Sequence, residues 1–324
     1  MRDTNGLRQA MRFDLIRCHG SGNDFPLIDA RALDLSDGDW ARIARVLADR
    51  GGPVGGDGLL LLTAGDADHA FGMRMFNSDG SESETCLNGL RCVARLGFEL
   101  LGIDAARVRL KASSAEVARK AQIAPGVVTV ETRAVASIDL ARVGLRIAGD
   151  ALIEGGVPGL PSARAFTAVA MPNPHLVSFV DAVDDGELSA IGEWAESAPD
   201  ILPGRGNVSF VELRNGGLFV RTFERGVGLT DSCGSAMAAS TFAAGLTGRA
   251  AFGCEVTVFN RGGMVRATAA APEDGAVVAI AGNATFFEDA SVGIEGDAVA
   301  ERVVHRVRRD EIAAWDAVLA DVTI

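Results

Sequence analysis

Phe76-Asn77-Ser78-Asp79-Gly80-Ser81-Glu82-Ser83-Glu84-Thr85-Cys86 runs into Leu87-Asn88-Gly89, and Phe223-Glu224-Arg225-Gly226-Val227-Gly228-Leu229-Thr230-Asp231-Ser232-Cys233 runs into Gly234-Ser235. Each stretch closes a strand-like run on phenylalanine, crosses a polar, turn-prone loop, and reaches a cysteine ten residues on. Each cysteine then opens a proline-free Ala/Leu-rich segment closed by glycine, 87–101 and 234–246, the signature of a helix. The plan of strand, loop, cysteine and helix occurs twice, 147 residues apart.

The correspondence extends outward. Asn23-Asp24-Phe25 enters a strand as Asn173-Pro174-His175 does 150 residues later, and Gly56-Asp57 precedes Leu59–Leu62 as Gly206-Asn207 precedes Val208–Val211. Three matches in the same order mark an internal duplication. Runs such as 59–63, 74–76, 127–131, 208–213, 218–223 and 256–259 are short, branched or aromatic, and bounded by turn residues, and so predict strands. The predicted class is α/β (α+β) with two pseudo-symmetric domains: residues 12–135, with a return strand about 282–293, and residues 136–281. Residues 1–11 and 296–324 have no counterpart and are read as extensions, the second helical around Asp310–Leu319.

Composition narrows the partners. The 324 residues are 48% hydrophobic and 23% charged, which suits folded domains. A net charge of −12 argues against nucleic acid and anionic membrane, both of which reward basic patches. No apolar run has the length of a membrane span, and Met1–Phe13 lacks the apolar core of a signal peptide, so a cytoplasmic protein is expected. The five cysteines are odd in number and irregularly spaced, which predicts free thiols rather than a disulfide framework. Cys18, Cys92 and Cys254 are read as structural. His19, His69, His175 and His305 are scattered and no CxxC occurs, so no metal site is expected.

Cys86 and Cys233 call for a different reading. A helix start offers unpaired N–H groups and the positive end of the helix dipole, which stabilise a thiolate or a bound carboxylate. One such thiol suggests a nucleophile. Two of them, one per half, suit inversion of a stereocentre, which needs a base on one face of a carbon and an acid on the other. Converging helix N-termini would stabilise the carbanion at an α-carboxylate, with no cofactor required.

These residues resemble the diaminopimelate epimerase family. The resemblance rests on His19-Gly20-Ser21-Gly22-Asn23-Asp24-Phe25, Phe76–Glu82, Cys86-Leu87-Asn88-Gly89, Asn173-Pro174-His175, Asn207, Glu224-Arg225-Gly226 and Cys233-Gly234-Ser235, in order over about residues 12–293. It implies a pyridoxal-independent epimerase whose two domains each wrap a curved, mostly antiparallel sheet or barrel around a central helix, with the active site in the cleft between them. It implies Cys86 and Cys233 as catalytic thiols, and Asn88, Gly89, Gly234 and Ser235 as holders of the reacting carboxylate. It further implies Asn23, Asn77, Asn173, Asn207, Glu224 and Arg225 as substrate-binding residues and His175 as a supporting one. The implied substrate is diaminopimelate, a lysine and peptidoglycan precursor, and the chain's own assembly is left open to a homodimer.

Two positions depart from the family pattern, Leu87 and Ala236, where glycine is usual. Leucine would be strained if its position required a positive φ, and otherwise could narrow the site. Two other readings stay open on the residues alone: a racemase of another amino acid using the same thiols, and a non-catalytic ligand-binding relative.

Overall fold

The computed structural model describes residues 11–171 and 173–322. The chain divides into two compact units, one formed by residues up to 130 together with 283–316, the other by 131–282 with 317 onward. Residues 1–10, most of the predicted N-terminal extension, lie outside the described residues.

In the first unit, the strand Met11–Gly20 pairs antiparallel with Asn23–Asp29, which pairs parallel with Gly58–Ala64. Gly58–Ala64 pairs antiparallel with Phe71–Asn77, which takes the short Glu82–Ser83 antiparallel and Ala105–Arg109 parallel. Ala105–Arg109 closes antiparallel with Ser114–Lys120. The second unit repeats this order of parallel and antiparallel pairs strand for strand. Thr167–Ala170 pairs antiparallel with Pro174–Phe179, then Asn207–Arg214 follows parallel and Gly217–Glu224 antiparallel. Gly228–Thr230 joins antiparallel, Glu255–Asn260 parallel and Gly263–Ala269 antiparallel.

The register sharpens the repeat. Leu59 faces Phe76 as Val208 faces Phe223, so the third strands correspond at 149 residues rather than the 150 read from Asp57 and Asn207. Asp57 lies just before its strand, whereas Asn207 is the first residue of its own.

Each sheet curves around one helix. Leu87–Leu101 touches six strands of the first unit, and its residues from Leu87 to Phe98 are all buried. Gly234–Leu246 touches six strands of the second and is buried from Gly234 to Ala244. A helix with no wet face must be small or apolar all round, and both sequences comply apart from a few polar residues. The first helix ends at Gly102, whose φ of 67° and N–H bond to the Phe98 carbonyl (2.9 Å) make the left-handed cap glycine favours.

The outer faces carry two helices that were not read from the sequence. Asp37–Ala48 is capped by Ser36 in a reciprocal box with Asp39 and lays Trp40, Ile43, Ala44 and Leu47 onto the sheet. Asp185–Glu196 is capped by Asp184 and contributes Leu188, Ile191 and Ala195 to the core of its own unit.

The strand Thr285–Glu295 pairs with Met11–Gly20 and so belongs to the first unit. The C-terminal extension is not helical throughout: it opens with the strand Ala298–Val307, antiparallel to Thr285–Glu295, before the helix Arg309–Val322. Arg95, buried in the central helix, pairs with Glu311 at 2.5 and 2.9 Å and lies 3.9 Å over the Phe286 ring. That buried, bidentate contact anchors the first turns of the last helix.

Candidate active site

Cys86 is the N-cap of its helix. It has extended backbone (φ −148°, ψ 99°), and its sulfur accepts the Gly89 N–H at 3.3 Å, as a serine cap oxygen would. A Cβ on Gly89 would stand 2.7 Å from Leu60 Cδ2 and 3.4 Å from Cys86 Sγ, so glycine is what lets the first turn sit against both. Asn23 Oδ1 lies 3.8 Å from the same sulfur. Asn88 is buried, and its side-chain oxygen accepts from Arg91 Nη2 at 3.0 Å. Leu87 opens the helix without positive φ and is buried, so the strain its departure from glycine raised does not arise.

Arg91 was not among the residues singled out from the sequence. Its side chain is fully buried, donating to the Asn283 carbonyl (2.9 Å), to Ser21 Oγ (3.0 Å) and to Asn88, while its Nη1 has no partner. Among the described residues no carboxylate pairs with it. Burial pulls its pKa down to about 10, with the two neighbouring thiols Cys92 and Cys86 opposing that pull. The guanidinium is therefore a buried positive charge one turn inside the helix that Cys86 caps, and anions near that helix end would compensate it. The signal was an arginine within an otherwise apolar run, Leu90-Arg91-Cys92-Val93.

Cys233 has the same extended N-cap backbone (φ −130°, ψ 110°) but its side chain makes no capping bond to the helix. Its sulfur instead meets the Ser235 hydroxyl at 3.4 Å. From there a polar chain runs through the second unit. Asn173 Nδ2 reaches Ser235 Oγ (3.3 Å), Asn173 Oδ1 lies 3.2 Å from His175 Nε2, and Asn207 Nδ2 lies 3.2 Å from the same nitrogen. Asn207 Oδ1 accepts the Arg225 backbone N–H at 2.8 Å. One imidazole nitrogen between an amide oxygen and an amide N–H bonds to only one of them in a given tautomer. His175 is fully buried, and that burial, with Arg225 adding to it, lowers its pKa to about 3, so it is a neutral ring.

The strand Gly217–Glu224 delivers Glu224 and then Arg225 at its end. The Arg225 guanidinium donates to the Gly204 carbonyl (3.0 Å), and no carboxylate among the described residues pairs with it. The Asn77 side chain donates to Ser81 Oγ (2.9 Å) within the turn its carbonyl closes with Gly80 N–H (2.9 Å). Gly234 begins the second central helix, and Ala236, three residues after Cys233, holds the place Gly89 holds after Cys86 and is fully buried. Cys18 and Cys92 are buried, and burial raises the Cys18 thiol pKa well above its ordinary value. Cys254 departs from the structural role read for it: it is exposed, in the bend before the strand Glu255–Asn260.

Solved structures share this architecture. A phenazine biosynthesis protein of the PhzF family from Bacillus anthracis superposes with a TM-score of 0.62 at 14% identity, covering 88% of this chain and 100% of that one. A hydroxyproline epimerase from Agrobacterium vitis gives 0.61 at 16% identity, covering 88% and 93%. At such identities the likeness is one of fold, and the fold is one that epimerases use. Sequence relatives are closer. Diaminopimelate epimerases of Clostridium acetobutylicum and Lactiplantibacillus plantarum are 36% and 38% identical over 296 and 303 residues, 88% of this chain in each case and 87% and 91% of theirs. The family model described as diaminopimelate epimerase matches residues 16–135 and 167–287, once per half. The chain belongs to the diaminopimelate epimerase family and is an isomerase.

Proposed function

We propose that this protein interconverts LL- and meso-diaminopimelate without a cofactor, with Cys86 and Cys233 as the two proton carriers. The observation that carries the reading is the placement of a cysteine at the N-cap of each of two buried central helices. One sulfur, as thiolate, takes the α-proton. The electron pair left on the α-carbon is delocalised into the carboxylate, which helix N-terminal N–H groups can hold. The other sulfur, as thiol, returns a proton to the opposite face, so the two cysteines exchange protonation states in each turnover. Arg225, free of any carboxylate partner among the described residues, suits the second carboxylate of a dicarboxylic substrate. Asparagines 173 and 207 and His175 form a neutral polar wall that suits a zwitterion. The product would serve lysine and peptidoglycan precursor synthesis. A reducing compartment such as the cytoplasm keeps both thiols competent.

Proton NMR of LL-diaminopimelate in D₂O with the purified protein tests this directly. The reading expects loss of the α-proton signal with growth of the meso isomer. No exchange with either diaminopimelate isomer would overturn it. A racemase of another amino acid by the same route is the second reading, carried by buried Leu87 beside Cys86. Faster exchange on a monocarboxylic amino acid than on diaminopimelate would select it.

A further inference from the structure

Asp57 was singled out in the sequence only as part of the repeat, yet its carboxylate controls a neighbour of the first cysteine. Asp57 Oδ2 accepts Asn23 Nδ2 at 2.5 Å and the Asp24 backbone N–H at 3.2 Å, and Oδ1 accepts Arg50 Nη2 at 2.7 Å. Arg50 is held in turn by both oxygens of Asp24, at 2.5 and 3.1 Å. An ionised carboxylate has acceptors only, so the Asn23 amide has one orientation compatible with it: NH₂ toward Asp57 and oxygen away. The oxygen is then the group that faces Cys86 Sγ, at 3.8 Å. An amide oxygen can receive a thiol S–H, and it repels a thiolate.

We propose that Asp57 is a positioning residue that locks the Asn23 carboxamide with its oxygen toward Cys86, so that Cys86 keeps its proton in the resting protein. In the two-thiol reaction, on which the catalytic meaning of this assignment rests, Cys86 then starts as the acid. Two opposing sets of groups act on the sulfur. Arg91 on its own helix, together with the helix N-terminus and the Gly89 N–H, draws the thiol toward thiolate. The Asp57–Arg50–Asp24 cluster, packed behind Asn23, works through the amide oxygen in the opposite direction, because a hydrogen bond to the neutral form disfavours the charged one. If the amide were free to turn, its N–H groups would join the first set.

The test is the pH profile of Cys86 alkylation by iodoacetamide, read peptide by peptide by mass spectrometry on the full-length protein without substrate. Asp57→Ala frees the amide and should move the Cys86 midpoint down by about one pH unit, a roughly tenfold rise in thiolate at pH values below both midpoints. Asp57→Asn removes the charge and keeps an oxygen for Asn23 and the Asp24 N–H, but turns a donor toward Arg50, so it should hold the amide only in part and shift the midpoint by clearly less than Asp57→Ala. Asn23→Ala removes the acceptor itself and should move the midpoint down as Asp57→Ala does. An unchanged midpoint in Asp57→Ala overturns the proposal. So does an equal shift in Asp57→Asn, which would make the effect one of charge alone, or an upward shift in Asn23→Ala. Asp57 is 41% exposed at its side chain, so its substitutions spare the core. Because no substrate is present, the outcome is independent of whether diaminopimelate exchanges its proton.

Discussion

The two cysteine-capped helix starts share backbone geometry and differ in what surrounds the sulfur. At Cys86 the sulfur accepts a backbone N–H and faces an amide oxygen whose orientation a carboxylate dictates. At Cys233 it has no capping bond and meets a hydroxyl, which can turn to donate to a thiolate or accept from a thiol. A buried arginine stands behind the first, and a neutral histidine network lies beside the second. The duplication preserved the scaffold that places a thiol at a helix end, while the contacts that set each thiol's proton diverged. Opposite protonation of the two groups is what a two-base inversion requires, and a strictly symmetric pair of surroundings would not favour it.

The comparison breaks most visibly if the cysteines are not equivalent in need. Cys86→Ala and Cys233→Ala should each cut epimerisation by roughly a thousandfold or more while leaving circular dichroism unchanged, since each removes a proton carrier. Near-normal turnover in either variant would end the paired scheme. The next largest effect falls on the position three residues after each cysteine. Gly89→Ala puts a Cβ into Leu60 and against the sulfur, and should cost about 1–3 kcal/mol in urea unfolding. The matching change in the other half, Ala236→Gly, relieves no clash and should cost only about 0.5–1 kcal/mol of helix propensity. Equal costs would show that the two first turns are packed alike.

A third contrast is in pH. His175 has a folded pKa of about 3 against an unfolded value of about 6.5. Its contribution is fully present above pH 6.5 and is lost as pH falls toward 3, because the unfolded chain binds the proton first. Stability should therefore fall by up to about 1.4 kcal/mol per pH unit in that window relative to a His175→Asn variant. Parallel pH profiles for wild type and variant would remove the buried neutral ring from the account. A further contrast lies at Leu87→Gly, which should destabilise by about 2–4 kcal/mol through lost burial and helix propensity, read as a drop in urea midpoint. A gain in stability would mean that leucine is strained there after all.

The repeat, the two central helices and both cysteine caps were legible because each leaves a local mark: alternating apolar strands, turn residues, and an uninterrupted Ala/Leu-rich run after a polar loop. The outer helices were missed although Ser36 and Asp39 spell a capping box, since an amphipathic pattern of twelve residues is less conspicuous than an apolar one. The strand Ala298–Val307 was missed because it is mostly exposed, so no buried face imposes an apolar alternation, and its pairing with Thr285–Glu295 is what makes it a strand. Asn173, His175, Asn207, Arg225 and Ser235, to which the resemblance gave separate roles, share one polar chain. Arg91 and Asp57 were passed over because their meaning depends on atoms distant in sequence: Asn283 for one, Asn23 for the other.

Sequence alone determined that the chain is a duplicated α/β protein with a thiol at a helix start in each half, because periodicity, turn chemistry and capping are properties of neighbouring residues, and its ordered motifs carried the resemblance to an epimerase family. Only the tertiary structure decided what each sulfur meets. Hydrogen-bond partners, burial and the orientation of an amide are set by segments that come together late and from far along the chain. Those are the quantities that govern where a proton rests.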